Sequence, residues 1–210
     1  ISFEKTFKRI RKESSDSFKL LKRYPEFLKL CVCGLFYQAG IAVVITLSAV
    51  YAQLVMKFTT AQTITLILVV NITAAIGAFV FGYVQDRLGH KKTLALTILL
   101  WIVMGVMAAF SQGPVSFWIA ANIAGIAMGS SQSAGRAVVA VFAPAGELAQ
   151  FYSAWNVAVW GANVLGPITY GTVTWLTSGD QRTAILVTTL FFVIGLLILR
   201  RVHLPSKTVC

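Results

Sequence analysis

Gln132 and Arg136 stand four residues apart in the stretch GSSQSAGRA, Gly129 to Ala137. On a helix they share one face. The amide there can donate and accept, and the guanidinium can only donate. Such a pair could bind a polar or anionic solute, or close a gate over one; Arg136 could equally be a snorkelling anchor. Further amides fall inside long apolar runs: Gln38 (next to Tyr37), Asn71 and Asn163. A polar group surrounded by hydrocarbon is costly, so each marks either a bond between helices or a solute path. Both readings stand for every amide, and Tyr37 with Gln38 is the stronger path candidate. Covalent catalysis is not expected. A nucleophile needs a base in reach, and His90 and His203 both sit at the margins of apolar runs. Cys31 and Cys33 have no third or fourth ligand nearby, so neither a metal nor any other cofactor is expected. With Cys210 they make three cysteines, an odd count that argues against a disulfide framework.

The elements that must position these groups follow from composition. The 210 residues are 57% hydrophobic and 12% charged, about half the charge of a usual soluble domain. Lipid is therefore the expected solvent. Crossing about 30 Å of hydrocarbon takes about 20 apolar residues in a helix, and six segments qualify: 28–55, 60–84, 93–111, 115–138, 151–176 and 183–199. The backbone must satisfy itself in lipid, and the alternating ten-residue pattern of a membrane barrel is absent, so the spans read as helices. Gln38 then lies about 15 Å into its span, near the midplane. Asn71 and Asn163 fall at similar depth.

The net charge of +11 could suggest nucleic acid. Its placement excludes that reading, because the basic residues line the edges of apolar runs. With both termini in the cytoplasm, only Lys57 and Arg182 of the 18 Lys and Arg fall outside, as the positive-inside rule expects. Residues 1–27 form a basic leader in which Phe3, Phe7 and Ile10 keep helical spacing, suited to a helix on the inner membrane surface. A plain solvated linker is the alternative. Residues 201–210 are a short cytoplasmic tail. No initiator Met or signal peptide opens the chain, which reads as a piece of something longer.

Two stripes of small residues predict close helix contact. One is Ala121, Gly125, Gly129 and Ser133 in the fourth span. The other is Ala154, Ala158, Ala162 and Gly166 in the fifth, followed by Pro167, which frees a backbone carbonyl inside the membrane. The third and sixth spans carry the fewest polar groups and are expected outermost, facing lipid. Between the second and third spans lies GYVQDRLGHKK. Gly82 would admit a neighbouring helix, Asp86 could face a helix N-terminus, and Gly89 suits a turn at positive φ. Arg87, Lys91 and Lys92 would hold this loop inside.

Gly82, Asp86, Arg87, Gly89, Lys91 and Lys92 resemble the signature loop of the major facilitator superfamily of transporters, departing at His90 where Arg is commonest. The resemblance implies an all-α membrane protein whose six helices form one half of that fold, with the loop acting as a conformational latch. The GSSQSAGRA element, then Pro144, Gly146, Glu147, Phe151, Tyr152 and Leu165-Gly166-Pro167, resembles the vacuole effluxer-like members, which include vacuolar amino-acid exporters of autophagy and bacterial relatives. The likeness runs over nearly the whole chain and corresponds to the C-terminal half alone. Two departures stand out. Tyr37-Gln38-Ala39-Gly40 lacks the acid of the family's aromatic-Asn-Asp-Gly element, and Trp160 occupies a position where the family often has Lys.

The resemblance implies half of a secondary transporter for a small organic solute, an exported amino acid among the options, in a bacterial inner (plasma) membrane. It would rock against a second six-helix half, supplied by a missing N-terminal portion or another copy. The alternative is a transport-inactive subunit that keeps the skeleton and has lost the intramembrane charges. No Asp, Glu or His lies deep in any span, so proton coupling, where it exists, would have to sit in the other half.

Overall fold

The computed structural model describes residues 20–205. The leader up to residue 19, with its Phe3, Phe7 and Ile10, and residues 206–210 of the tail lie outside the described residues. Six long helices follow one another: α1 Pro25–Leu54, α2 Thr60–Leu88, α3 His90–Phe110, α4 Pro114–Phe142, α5 Leu148–Leu176 and α6 Gln181–Arg200. On length and composition, α1, α2, α3 and α6 are apolar enough to cross a membrane. Helices α4 and α5 match α2 in length at 29 residues each, about 43 Å at 1.5 Å per residue. Their apolar residues are diluted by Ser, Asn, Gln and Gly.

Local chemistry sets the boundaries. Pro25 and Pro114 open α1 and α4 at positions where a helix has no use for the missing N–H. Thr59 and Gln62 cap α2 reciprocally: the Thr59 hydroxyl accepts from the Gln62 N–H at 3.3 Å, and the Gln62 side chain accepts from the Thr59 N–H at 2.9 Å. The charged segment between α2 and α3 is not a loop, contrary to the sequence expectation. Gly82, Asp86 and Arg87 sit in α2, and Lys91 and Lys92 in the first turn of α3. Gly89 alone makes the turn, at φ 80°, a value that costs glycine nothing.

Two lysines at a helix N-terminus oppose the helix dipole. Lys91 has an outlet. Its ammonium donates to the carbonyls of Val202 at 2.6 Å and Arg200 at 3.1 Å, at the C-terminal end of α6. The strand of chain after α6 is also tied to α1, since the Glu26 carboxylate accepts from the His203 N–H at 2.7 Å and from Lys29 at 2.6 Å. Lys91→Met is expected to cost about 0.3–1 kcal/mol, seen as a fall of roughly 1–4 °C in the thermal midpoint of the purified protein.

At the opposite end, Asp180 caps α6. It accepts from the backbone N–H groups of Arg182 at 2.9 Å and Thr183 at 3.3 Å, and from the Thr183 hydroxyl at 2.5 Å. The Thr183 hydroxyl bond is the main cause that holds this carboxyl below its ordinary value of 3.8. A carboxyl with a depressed folded value stabilises above its unfolded value and loses that contribution as pH falls through the folded one. Asp180→Ala should therefore lower the thermal midpoint at neutral pH, and the deficit should close on acidification below pH 3.8.

Helix α1 packs along α5 and α6, α3 along α4 and α6, and α2 chiefly on α4. Around the bundle the order is α2, α4, α3, α6, α1, α5, with α1 and α4 meeting only lightly. Backbones approach closely at glycines. A Cβ at Gly77 would lie 2.6 Å from the Ile126 carbonyl oxygen, and one at Gly125 2.7 Å from the Val70 carbonyl oxygen. At Gly129 it would collide with the Ala74 carbonyl, and at Gly166 with that of Ala39. Aromatic rings fill the interior: Trp101 stacks on Phe192 with centroids 5.3 Å apart, and Phe27 tilts against Phe151 at 4.5 Å.

Helices α3 and α6, expected outermost against lipid, are not the ones that expose the most apolar surface within this half. Helix α3 is pinned between α4 and α6 and shows one narrow stripe, Leu96, Leu99, Val103, Val106 and Phe110. The most exposed helix is α2, which rests mainly on one neighbour and presents Ile64, Leu68, Ile72, Ile76, Phe79 and Tyr83 outward. The reason is position in the arc: α2 is an end helix, and α3 is an inner one.

Candidate functional site

Gln38 and Gln132 meet. They are 94 residues apart in sequence, and the Gln132 amide donates to the Gln38 carbonyl oxygen at 3.4 Å. Gln38 is buried and Gln132 half-buried. The bond is long for its type, a distance that leaves both amides able to turn to another partner. It bridges α1 and α4, two helices that otherwise touch only lightly.

One to two turns further along both helices, towards the end that carries Lys57, a cavity of about 250 Å³ opens between α1, α2 and α4. Its wall includes Val44, Leu47, Leu66, Trp101, Phe117 and Ala121. Asn71 belongs to the wall. Its NH2 turns back to the Ile67 carbonyl at 2.8 Å, which is the satisfied resting state of an amide on a helix. Tyr51, Trp101 and Tyr170 also line the cavity. Residue type does not single them out, because an aromatic inside an apolar run reads equally as core.

The other expected path residues lie elsewhere. Tyr37 is fully buried and faces Gly135, Trp155 and Gly195 inside the bundle. Its hydroxyl has no hydrogen-bond partner. One residue of offset is about 100° of rotation on a helix, so Tyr37 and Gln38 cannot share a face. Arg136 is exposed, and its carbonyl accepts from the Tyr152 hydroxyl at 3.0 Å. Asn163 is exposed on α5. Its carbonyl is the one deprived of a donor by Pro167, which stands inside the helix. Neither Arg136 nor Asn163 belongs to the cavity wall.

The signature residues also separate. Gly82, Asp86, Arg87 and Gly89 are exposed, and Gly82 has nothing within 4 Å of where its Cβ would be. The close approach expected at Gly82 is therefore not made among the described residues. Ala39, which replaces the family's acid, is fully buried beneath Gly166. Trp160 is 64% exposed.

Hydroxyls in the spans are mostly self-satisfied. Ser130 donates to the Ile126 carbonyl at 2.7 Å, Thr188 to that of Ala184 at 2.9 Å, and Thr97 to that of Leu94 at 2.8 Å. Such back-bonding lets small polar residues sit in apolar helices at little cost. The amide pair, by contrast, bonds from one helix to another. Among the described residues no group of three or more His, Cys, Asp or Glu could hold a metal ion.

Comparison with known proteins agrees with this arrangement. The family described as vacuole effluxer Atg22 like matches residues 5–209. The chain is 25% identical over 203 residues to the MFS-type transporter YxiO of Bacillus subtilis (strain 168), covering 97% of this chain and 46% of that protein. Among solved structures, the E. coli fucose:proton symporter FucP superposes with a TM-score of 0.75 at 19% identity, covering 90% of this chain and 45% of that one. The inward-open xylose transporter XylE of E. coli gives 0.70 at 19% identity, covering 85% and 47%. At that identity the likeness is one of fold, and the chain spans about half the length of the relatives it matches. Six helices in this order, with this signature and this match, make the chain a member of the vacuole effluxer Atg22-like family of the major facilitator superfamily of membrane transporters.

Proposed function

We propose that the chain is a six-span half of a secondary transporter that moves a small organic solute by alternating access, with α1 and α4 lining the path. The observation that carries this reading is the contact between Gln38 and Gln132. Two hydrogen-bonding amides from distant parts of the chain meet there, about one turn from a cavity that neither of them lines, on two helices that touch only lightly. Outward movement is favoured by the family's description as an effluxer, and an amino acid is the solute the sequence resemblance implies. Gln38, Gln132 and Asn71 are the solute-facing groups, with Arg136 at the cytoplasmic margin of α4 and Asn163 on the free face of α5.

In this reading all six helices span, and both termini are cytoplasmic in a bacterial inner membrane. The chain rocks against a second half, either a further portion of the same protein or another copy. Gly82, Asp86, Arg87, Gly89 and Lys92, exposed at the α2–α3 turn, form the latch against that partner. Lys91 is already committed to the end of α6. Membership of a transporter family favours transport over an inactive structural role.

The test is solute counterflow in proteoliposomes. The expected result is saturable uptake of at least one radiolabelled amino acid. Absence of counterflow for amino acids and for other small metabolites, by protein in its membrane and with any second half present, would overturn the proposal.

A further inference from the structure

The cavity beside the amide pair has a chemical character that the family name does not supply. Its polar-tipped lining residues have turned their polar atoms away. The Tyr51 hydroxyl donates to the Ala108 carbonyl at 2.9 Å, and that of Tyr170 to the Gln181 side chain at 2.5 Å. The Trp101 indole N–H points to the Ser131 hydroxyl at 3.3 Å, and the Asn71 NH2 to the Ile67 carbonyl at 2.8 Å. What remains is mainly hydrocarbon and ring face, with Ser48 of α1 and Asn71 of α2 among the lining residues. Among the described residues no Asp, Glu, Lys, Arg or His lines it.

An enclosed apolar cavity of about 150 Å³ admits benzene. This one, at about 250 Å³ and partly open beside the exposed Ile45 and Ile67, has room for a substituted ring. A charged group placed there unpaired would lose its hydration with nothing in return. We infer that this half contributes an apolar subsite that takes an uncharged, aryl-sized group, and that any charged part of the solute is met outside it. The inference rests on the transporter reading for its role in the solute path. The occupancy itself does not depend on transport.

Photolabelling tests it. The uncharged probe is 3-trifluoromethyl-3-phenyldiazirine, and its counterpart carries a ring carboxylate. Both are used on the full-length protein in its membrane, with labelling at Met104, Phe117 and Met128 expressed as a ratio to labelling at Leu190 and Leu197 on the outer face of α6. The ratio corrects for partition into lipid. For the uncharged probe, cavity labelling should saturate and be displaced by excess toluene. The carboxylate should give a ratio roughly tenfold lower, the penalty of about 1.4 kcal/mol or more for an unpaired charge. Ala121→Trp, which fills the cavity, should reduce the uncharged probe to the outer-face level. Equal ratios for the two probes, or cavity labelling that never saturates, would overturn the inference, and the probe pair decides this on the unaltered protein even where the variant does not fold. Saturable labelling without counterflow would sink the transport reading and leave the subsite standing; counterflow without saturable labelling would sink the subsite alone.

Discussion

Gly129→Leu is expected to separate α2 from α4 and abolish folded protein or transport, the largest effect of any single substitution in this half. A side chain at Gly129 meets the Ala74 carbonyl, which is backbone and cannot swing aside. The neighbouring contacts at Gly77 and Gly125 are equally tight, so the helices can only move apart as a unit. In lipid no hydrophobic effect drives helices together, and contact energy comes from close packing. Overpacking of a filled core costs about 1–3 kcal/mol, and more where backbone must shift. The readout is the monodisperse fraction and thermal midpoint in detergent. Gly82→Leu is the contrasting case. With open space around that position, it should leave the midpoint of this half unchanged and reduce counterflow, because the crowding would appear only against the second half. An unchanged midpoint in Gly129→Leu would mean that the α2–α4 crossing is not as close as described.

The second large effect is expected at the amide pair. Replacing Gln38 or Gln132 singly by Leu strands the other amide in an apolar setting, a cost of about 1–3 kcal/mol. A comparable loss in solute binding would reduce counterflow roughly ten- to hundredfold. The double replacement separates a structural bond from a solute site. Two leucines leave no unpaired amide, so the thermal midpoint of the double variant should recover to near that of the parent. Counterflow should not recover. If both return together, the pair is merely a bond between helices and the solute path lies elsewhere.

Helices α1, α2, α3 and α6 were legible because hydropathy and length mark them, and the turn at Gly89 because no other residue type sits easily at that φ. The stripe in α4 was legible in part. Gly125 and Gly129 touch α2, whereas Ser133 is exposed. Steps of four residues advance about 400°, so such a stripe drifts some 40° per step around a straight helix and leaves its partner. Tyr37 was misplaced for a related reason, being one residue from Gln38 and a third of a turn away. The outlet of Lys91 on the carbonyls of Arg200 and Val202 joins positions more than 100 residues apart. Nothing local signals it, and the same lysine read alone is only a topological anchor. Exposure of α2 was equally hidden, because it depends on which helix ends the arc. The cavity's apolar character came from hydrogen bonds made by Tyr51, Trp101 and Tyr170, and sequence does not tell which way a polar tip turns.

The most direct test of the proposed solute path is water access. With Cys31, Cys33 and Cys210 replaced, single cysteines at Gln132 and Ser48, on α4 and α1, and at Val103 and Leu197, on the outer faces of α3 and α6, would be exposed to a membrane-impermeant thiol reagent in sealed vesicles of known orientation. The account predicts reaction at Gln132 and Ser48, from opposite sides of the membrane, and none at Val103 or Leu197. Silence at Gln132 and Ser48 equal to that of the two outer positions would contradict it.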